Sequence, residues 1–211
     1  MDVKGKKVLV FGSGISGESA ARLLLRQGAG VILYDGNEKF DSRAVEKKIT
    51  DSAQDGADMP AADLEIVLGA FPEEMLGELS LAVLSPGVPA DLPVVEKMRQ
   101  LGIPVWGEIE LAYVFGKGEV LAITGTNGKT TTTALLGEIM NNARKSVFVV
   151  GNIGNPYTSV VPRTEECSAI VAEISSFQLE TIHTFRPKVS AILNITPVHL
   201  NRHHTMEAYI A

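Results

Sequence analysis

The sequence predicts an α/β fold of parallel sheets, arranged as two successive units. Three observations carry that reading. Short Val/Leu/Ile-rich runs alternate with segments of helical spacing from the first residues onward. Two Gly-rich turns, Gly12-Ser-Gly-Ile-Ser-Gly17 and Gly125-Thr-Asn-Gly-Lys-Thr130, each stand between an apolar run and a helical pattern. A Phe115-Gly-Lys-Gly118 stretch lies between them, so the units are taken as 1–116 and 117–211.

In the first unit, residues 8–11, 31–34, 65–68 and 82–84 read as buried strands, because each is short, apolar and ended by Gly, Asp or Ser-Pro. Residues 16–27 and 94–101 read as helices. Residues 41–62 are polar, with Asp-Gly and Met-Pro breaks, and read as a surface helix plus loop. In the second unit, strands are expected at 120–124, 146–150, 169–174 and 190–194. Helices are expected at 131–142, 178–183 and 206–211. Leu135, Leu136, Ile139 and Met140 would give the first of these one apolar face. Fewer strands follow residue 117 than a nucleotide-binding α/β domain needs to close its sheet, so a truncated second domain is expected.

Composition narrows the function classes. Apolar content of 45% with 21% charged residues is that of a globular protein. A net charge of −6, with no basic block, argues against nucleic acid as a partner. The single cysteine, Cys167, excludes an internal disulfide, fits a reducing cytoplasm, and reads as a small buried apolar residue. No apolar run approaches the length of a membrane span, and the N-terminus lacks a signal-peptide core.

The first Gly-rich turn is a dinucleotide-type fingerprint in a Rossmann-like context: strand, turn, helix, then Asp35 at the end of the next strand. Gly12 permits the tight turn, Gly14 admits a diphosphate, and Gly17 lets helix and strand pack. Any diphosphate-linked ligand would use the same helix dipole. Ser85-Pro-Gly-Val-Pro89 also follows a strand and would lie beside this turn, at the carboxyl edge of the sheet. The second turn has the layout of a P-loop-type phosphate cradle. Backbone N–H groups would hold phosphate, Lys129 would neutralise the β/γ-phosphates, and the Thr130 hydroxyl would ligate Mg²⁺. The match is not literal, because Ile123 stands where the usual pattern has its first glycine.

Seven motifs then occur in one order: Gly12-Ser-Gly-Ile-Ser-Gly17, Ser85-Pro-Gly87, Trp106-Gly-Glu-Ile-Glu110, Thr124-Gly-Thr-Asn-Gly-Lys-Thr130, Gly151-Asn-Ile-Gly154, Glu173-Ile-Ser-Ser-Phe-Gln-Leu-Glu180 and Asn194-Ile-Thr-Pro197. Together they resemble the Mur ligase family over the entire chain. The Ser-Ser-Phe-Gln-Leu-Glu run resembles the branch that joins D-glutamate to UDP-N-acetylmuramoyl-L-alanine.

The resemblance implies a Rossmann-like UDP domain, a central ATPase and a C-terminal amino-acid domain. This chain would hold the first and part of the second. It also implies ATP and Mg²⁺ as cofactors, and amide formation through an acyl phosphate. The implied catalytic residues are Lys129, Glu173 and His199, with Thr130, Glu173 and His199 as metal ligands. ATP would lie on Gly125, Thr126, Asn127, Gly128, Lys129, Thr130 and Thr131. The UDP-substrate would meet Gly14, Ile15, Ser16, Asp35, Gly36, Asn37, Gly87, Asn152 and Gln178.

Two departures stand out. The family shows Asp-His-Leu-Asp-Arg-His where this chain reads Val198-His-Leu-Asn-Arg-His203, so both acids are replaced. An acid beside the metal-binding histidine would orient its ring, and its loss should weaken metal or substrate affinity. A lysine that the family carbamylates would fall just after Tyr209-Ile-Ala211. The 211-residue chain is therefore expected to be catalytically inactive by itself. Three alternatives remain open: a nicotinamide-dependent oxidoreductase using Gly12–Gly17 and Asp35, a non-catalytic UDP-sugar-binding module, and a folate-polyglutamating relative. The first leaves the Lys129 loop unexplained, and the third lacks a unit like 1–116.

Overall fold

A computed structural model describes residues 2–51 and 63–210. Each unit is built on its own parallel sheet. The first runs β1 (Lys7–Phe11), α1 (Ile15–Arg26), β2 (Gly30–Asp35), α2 (Ser42–Thr50), β3 (Leu64–Leu68), β4 (Leu79–Leu84), α3 (Pro93–Gln100), β5 (Val105–Gly107) and α4 (Glu108–Phe115). The second runs β6 (Glu119–Thr124), α5 (Lys129–Ala143), β7 (Val147–Gly151), α6 (Tyr157–Val160), β8 (Ala169–Glu173), α7 (Ser176–Leu179), β9 (Val189–Ile192), α8 (Leu200–His203) and α9 (Met206–Ile210).

Strand order is β3-β2-β1-β4-β5 in one sheet and β7-β8-β6-β9 in the other. All pairings are parallel. The first sheet reverses direction of growth between β1 and β4, so the turns that follow Phe11 and Leu84 face each other there. The second reverses beside β6, where β8 and β9 flank it. Such switch points open a crevice at the carboxyl ends of the strands.

Most described strands match the expected ones to within a residue or so, but β4 starts three residues earlier, at Leu79, and β9 ends two residues earlier, at Ile192. Four of the elements named above escaped prediction. β5, α6 and α8 are only three or four residues long, and α4 carries buried residues on several sides, so it has no amphipathic stripe to read. Of the surface helix and loop expected at 41–62, the helix is α2, capped by Asp41 through the N–H groups of Arg43 and Ala44. Residues 52–62 lie outside the described ones.

Three expectations are corrected. Leu135 and Ile139 are 60% and 54% exposed, so they do not form the inner face of α5. That face is Thr133, Leu136, Gly137 and Met140, and a Cβ on Gly137 would come within 2.6 Å of Val149 on β7. The helix expected at 178–183 is one turn, Ser176–Leu179. Beyond it, the N–H groups of His183, Thr184 and Phe185 donate to the Glu110 carboxylate instead of continuing a helix. Cys167 is exposed, because it falls in the Glu165–Ser168 turn that precedes β8 rather than in the strand.

One apolar cluster runs through both units. It joins Val8, Leu24 and Ile109 to Val120, Tyr157 and Ile170, with α1, α4 and α6 meeting at the junction. A second cluster, around Leu9, Ile32, Leu84 and Met98, lies on the other face of the first sheet. Among the described residues no helix is long and apolar enough to cross a membrane.

Candidate functional site

The turn after β1 is held from three sides. Gly12 N–H donates to Tyr34 O at 2.7 Å, and Ser85 Oγ donates to Gly12 O at 3.1 Å. Gly17 admits no side chain: its Cβ would sit 1.7 Å from Gly12 O. Asp35 closes the ring. Its Oδ2 accepts from Ser13 N and Ser13 Oγ, each at 2.8 Å, and its Oδ1 accepts from Asn37 N at 2.9 Å. Burial pushes the Asp35 carboxyl up, but these three bonds outweigh it and hold the group below the usual carboxylate range. Asp35 therefore shapes the turn, and its remaining lone pairs are what it can offer a ligand. Gly14 caps α1 without a side-chain bond, which leaves first-turn N–H groups beside the 75%-exposed Ile15. Ser16 is half-buried, while Gly36, Asn37 and Gly87 are exposed.

The second turn leads from β6 into α5. Gly128 adopts φ +84°, a left-handed conformation that favours glycine, and so turns the chain into the 15-residue helix. The Lys129 ammonium folds back onto the loop, donating to Gly125 O (2.7 Å) and Thr126 O (3.0 Å). Thr130 and Thr131 are exposed on the first turn of α5, which contains no acidic residue. The segment after β9 braces this loop. Asn127 N donates to Asn194 Oδ1 and Asn194 Nδ2 donates to Asn127 O, both at 2.9 Å. Thr196 N donates to Thr126 Oγ1 at 2.9 Å, and the Tyr209 hydroxyl lies 3.0 Å from the same oxygen. These contacts give the Asn194-Ile-Thr-Pro197 motif a physical task that its sequence did not reveal.

Glu173 ends β8, paired in register with Ile123 of β6 and Gly151 of β7. It is 1% exposed. Its Oε1 accepts from Asn152 Nδ2 at 2.8 Å, while Oε2 has no hydrogen-bond partner among the described residues. A buried carboxylate oxygen left bare is an uncommon arrangement, and a hard cation would satisfy it. Gln178 is buried and forms a capping box with Ser175: its Oε1 accepts from Ser175 N and Oγ at 2.9 and 3.0 Å. Only its amide N–H groups remain for a ligand. It lines a small cavity between the units with Ser85, Pro86, Val88 and Phe177.

His199 is exposed at φ +54°, with its ring 5.0 Å from that of Phe177. Among the described residues no group of three or more His, Cys, Asp or Glu is arranged to hold a metal. Glu173, His199 and Thr130 would thus need further oxygens from a nucleotide or water.

The structure adds residues that sequence reasoning gave no role. Arg202 Nη2 donates to Val88 O of the first unit (3.2 Å) and to Glu180 Oε2 (2.6 Å), with its guanidinium 4.8 Å over the Phe177 ring. Glu108 and Glu110, both buried, face the second unit. Glu108 Oε1 accepts from Thr158 N (2.6 Å) and Thr158 Oγ1 (2.8 Å), and that hydroxyl lies 2.8 Å from Ser19 Oγ. Burial raises the Glu108 carboxyl above its ordinary range despite these bonds. Burial also pushes Glu110 up, but donors from His183, Thr184 and Phe185 prevail and hold it below that range. The Trp106-Gly-Glu-Ile-Glu110 motif was the available signal for both.

Comparison with known proteins decides the lineage. Residues 6–107 match the family described as "Mur ligase MurD-like, N-terminal domain", and residues 123–211 match "Mur ligase middle domain". The chain belongs to the Mur ligase family. The UDP-N-acetylmuramoylalanine--D-glutamate ligase of Lachnospira eligens is 58% identical over 99% of this chain and 44% of its own length. The enzyme of the same name from Lachnoclostridium phytofermentans is also 58% identical, over all of this chain and 44% of its own. The chain thus spans less than half the length of these curated relatives. A solved UDP-N-acetylmuramate:L-alanyl-gamma-D-glutamyl-meso-diaminopimelate ligase from Neisseria meningitides overlays 97% of this chain and 65% of its own, with a TM-score of 0.55 at 19% identity. UDP-N-acetylmuramate-alanine ligase from Thermotoga maritima overlays 97% of this chain and 45% of its own, with a TM-score of 0.51 at 22% identity. Both share the fold of this Mur ligase chain.

Proposed function

We propose that this chain supplies the UDP-substrate and ATP sites of a ligase that joins D-glutamate to UDP-N-acetylmuramoyl-L-alanine. Residues 1–116 would hold the UDP moiety and residues 117–211 the nucleotide. One observation carries the reading: the Gly125–Thr130 loop and the bare Glu173 oxygen meet at the switch point of the second sheet.

In this reading the α1 N-terminus with Gly14, Ile15 and Ser16 binds diphosphate, and Asp35, Gly36, Asn37 and Gly87 flank the uridine. Asn152 and Gln178 contact the muramoyl moiety. The amides of Gly125 to Thr131 cradle the ATP phosphates, and the Lys129 ammonium exchanges its two carbonyl partners for phosphate oxygens. Thr130, Glu173 and His199 would hold Mg²⁺, which supplies charge neutralisation and Lewis acidity when bound. The substrate carboxylate attacks the γ-phosphorus, ADP leaves, and an acyl phosphate forms. The amine of D-glutamate then adds to the acyl carbon, and inorganic phosphate leaves with the amine's proton going to solvent. Alignment and charge neutralisation are what such a transfer asks of the protein, since no protein nucleophile is required.

Titration calorimetry on the 211-residue chain tests this. UDP-N-acetylmuramoyl-L-alanine should bind more tightly than UDP, and ATP should bind in a Mg²⁺-dependent manner. Binding of NAD with none of UDP-sugars would overturn the reading.

A further inference from the structure

The junction between the units contains two buried carboxylates for which binding and phosphoryl transfer have no use. Both lie in the first turn of α4, two residues apart, and each reaches a different segment of the second unit. We propose that Glu108 and Glu110 are positioning residues, and that each sets the place of one second-unit segment carrying a substrate contact: Asn152 for Glu108 and Gln178 for Glu110. The inference rests on the roles proposed above for Asn152 and Gln178.

The connections are short. Glu108 holds Thr158 on α6, six residues after Asn152, and the intervening bend is closed by Gly151 N–H donating to Asn155 O at 3.0 Å. Glu110 engages both of its oxygens. Oε2 accepts from His183 N (2.8 Å) and Phe185 N (3.0 Å), and Oε1 accepts from Thr184 N (2.7 Å) and Thr184 Oγ1 (2.5 Å). Between that grip and Gln178, Gly107 N–H donates to Thr181 O at 3.2 Å, and a Cβ on Gly107 would come within 2.3 Å of Thr181 Oγ1.

The first unit anchors the other end. α4 follows β5 directly, and β5 pairs with β4 at Ala82, Val83 and Leu84. The turn at Ser85–Val88, where the UDP-substrate is proposed to sit, starts at the next residue. Asn152 and Gln178 are thereby referenced to the same strand as that turn. An apolar junction alone would hold the units together but would allow sliding. Directional bonds to a buried carboxylate fix one register, and they offset the cost of burying the charge only in that register.

Three variants test the proposal. In Glu110→Gln, one oxygen becomes an NH₂ facing N–H donors, so the grip on 183–185 breaks at almost constant volume. Glu108→Ala removes the acceptor for Thr158, whereas Glu108→Gln retains an amide oxygen for both Thr158 donors. Calorimetry compares UDP with UDP-N-acetylmuramoyl-L-alanine. The E110Q and E108A variants should bind UDP within about twofold of the parent and its muramoyl conjugate about tenfold more weakly, roughly the loss of one polar contact. The E108Q variant should match the parent for both ligands. Equal weakening of both ligands in E110Q, or none, overturns the proposal.

Amide hydrogen exchange provides a readout without ligand. In E110Q, exchange should accelerate from Gln178 to Phe185 while β8 stays protected. Unchanged protection there overturns the proposal whatever the ligands do. A parent chain that binds UDP and its conjugate equally refutes the substrate reading, and the exchange data then decide whether Glu110 holds this segment.

Discussion

Replacing Glu173 by methionine should stabilise the ligand-free chain and sharply reduce its response to Mg·ATP. Glu173 is 1% exposed, and one of its oxygens has no hydrogen-bond partner among the described residues. A buried acceptor left bare costs about 1–3 kcal/mol, and more when charged. Methionine has similar length and no group to satisfy, so that cost disappears. What is lost is the bond from Asn152 Nδ2. Asn152 is exposed, so its amide can turn to water, and the loss is about 1 kcal/mol. The balance is a gain of roughly 1 kcal/mol, the sign expected when a buried charge gives way to an apolar isostere.

Urea unfolding in a chelator, followed by the same titration with Mg·ATP, gives both halves of the test. The parent chain should gain about 2.7 kcal/mol at a hundredfold excess over its dissociation constant. The E173M variant should gain far less. A ligand-free variant less stable than the parent by more than about 1 kcal/mol would mean that Glu173 is already satisfied. An equal gain from Mg·ATP would remove Glu173 from the cation site.

Asn194→Ala removes both reciprocal bonds to Asn127, so it should cost about 1–2 kcal/mol in urea unfolding and weaken ATP more than UDP in calorimetry. Gly17→Ala places a Cβ 1.7 Å from Gly12 O, so circular dichroism and near-UV spectra should report loss of the native fold or a transition lowered by about 3 kcal/mol or more. The pH dependence has opposing parts. Asp35 and Glu110 titrate below their ordinary range, so their contribution is present above the unfolded carboxylate values and is lost as pH falls through the folded ones. Glu108 titrates above its range, so its contribution is present below the unfolded value and is lost as pH rises through the folded one. Relative to the parent, Glu108→Gln should therefore become steadily more favourable as pH rises through that window, and a flat difference across it would contradict the assignment.

Much of this fold is legible in the sequence because buried parallel strands are short, largely apolar runs, as β1, β2, β4 and β8 are. The Gly-rich turns are legible for a different reason: Gly17 and Gly128 meet local demands of packing and backbone that other residues violate. The inner face of α5 is only half legible: Leu136 and Met140 lie on it, but Leu135 and Ile139 are apolar and exposed, while Thr133 and Gly137, which hydrophobicity does not mark, complete it. The bracing of the Gly125–Thr130 loop by Asn194 and Thr196 is hidden in the sequence because the partners are about seventy residues apart, and polar side-chain pairs leave no periodic trace. The motif runs were visible as patterns, but what Glu108 and Glu110 touch emerged only once α4 was placed against the second sheet.

In the function proposed above, each sheet, taken singly, offers one anion site at its switch point, and such sites are common among α/β proteins. The proposed transfer would require the ligands held at these two sites to face each other at a set distance. Neither sheet can encode that distance, so the demand falls on the junction. The apolar cluster through Ile109, Val120 and Tyr157 supplies adhesion there, but packing of this kind tolerates small slips. Polar contacts do not. Arg202 to Val88 O, Gly107 N–H to Thr181 O, and the two α4 carboxylates are all directional, and all lie along the seam. A junction selected for stability alone would have had no reason to bury Glu108, whose carboxyl is pushed up by that burial. Its presence there fits a seam that holds one register at some expense in stability.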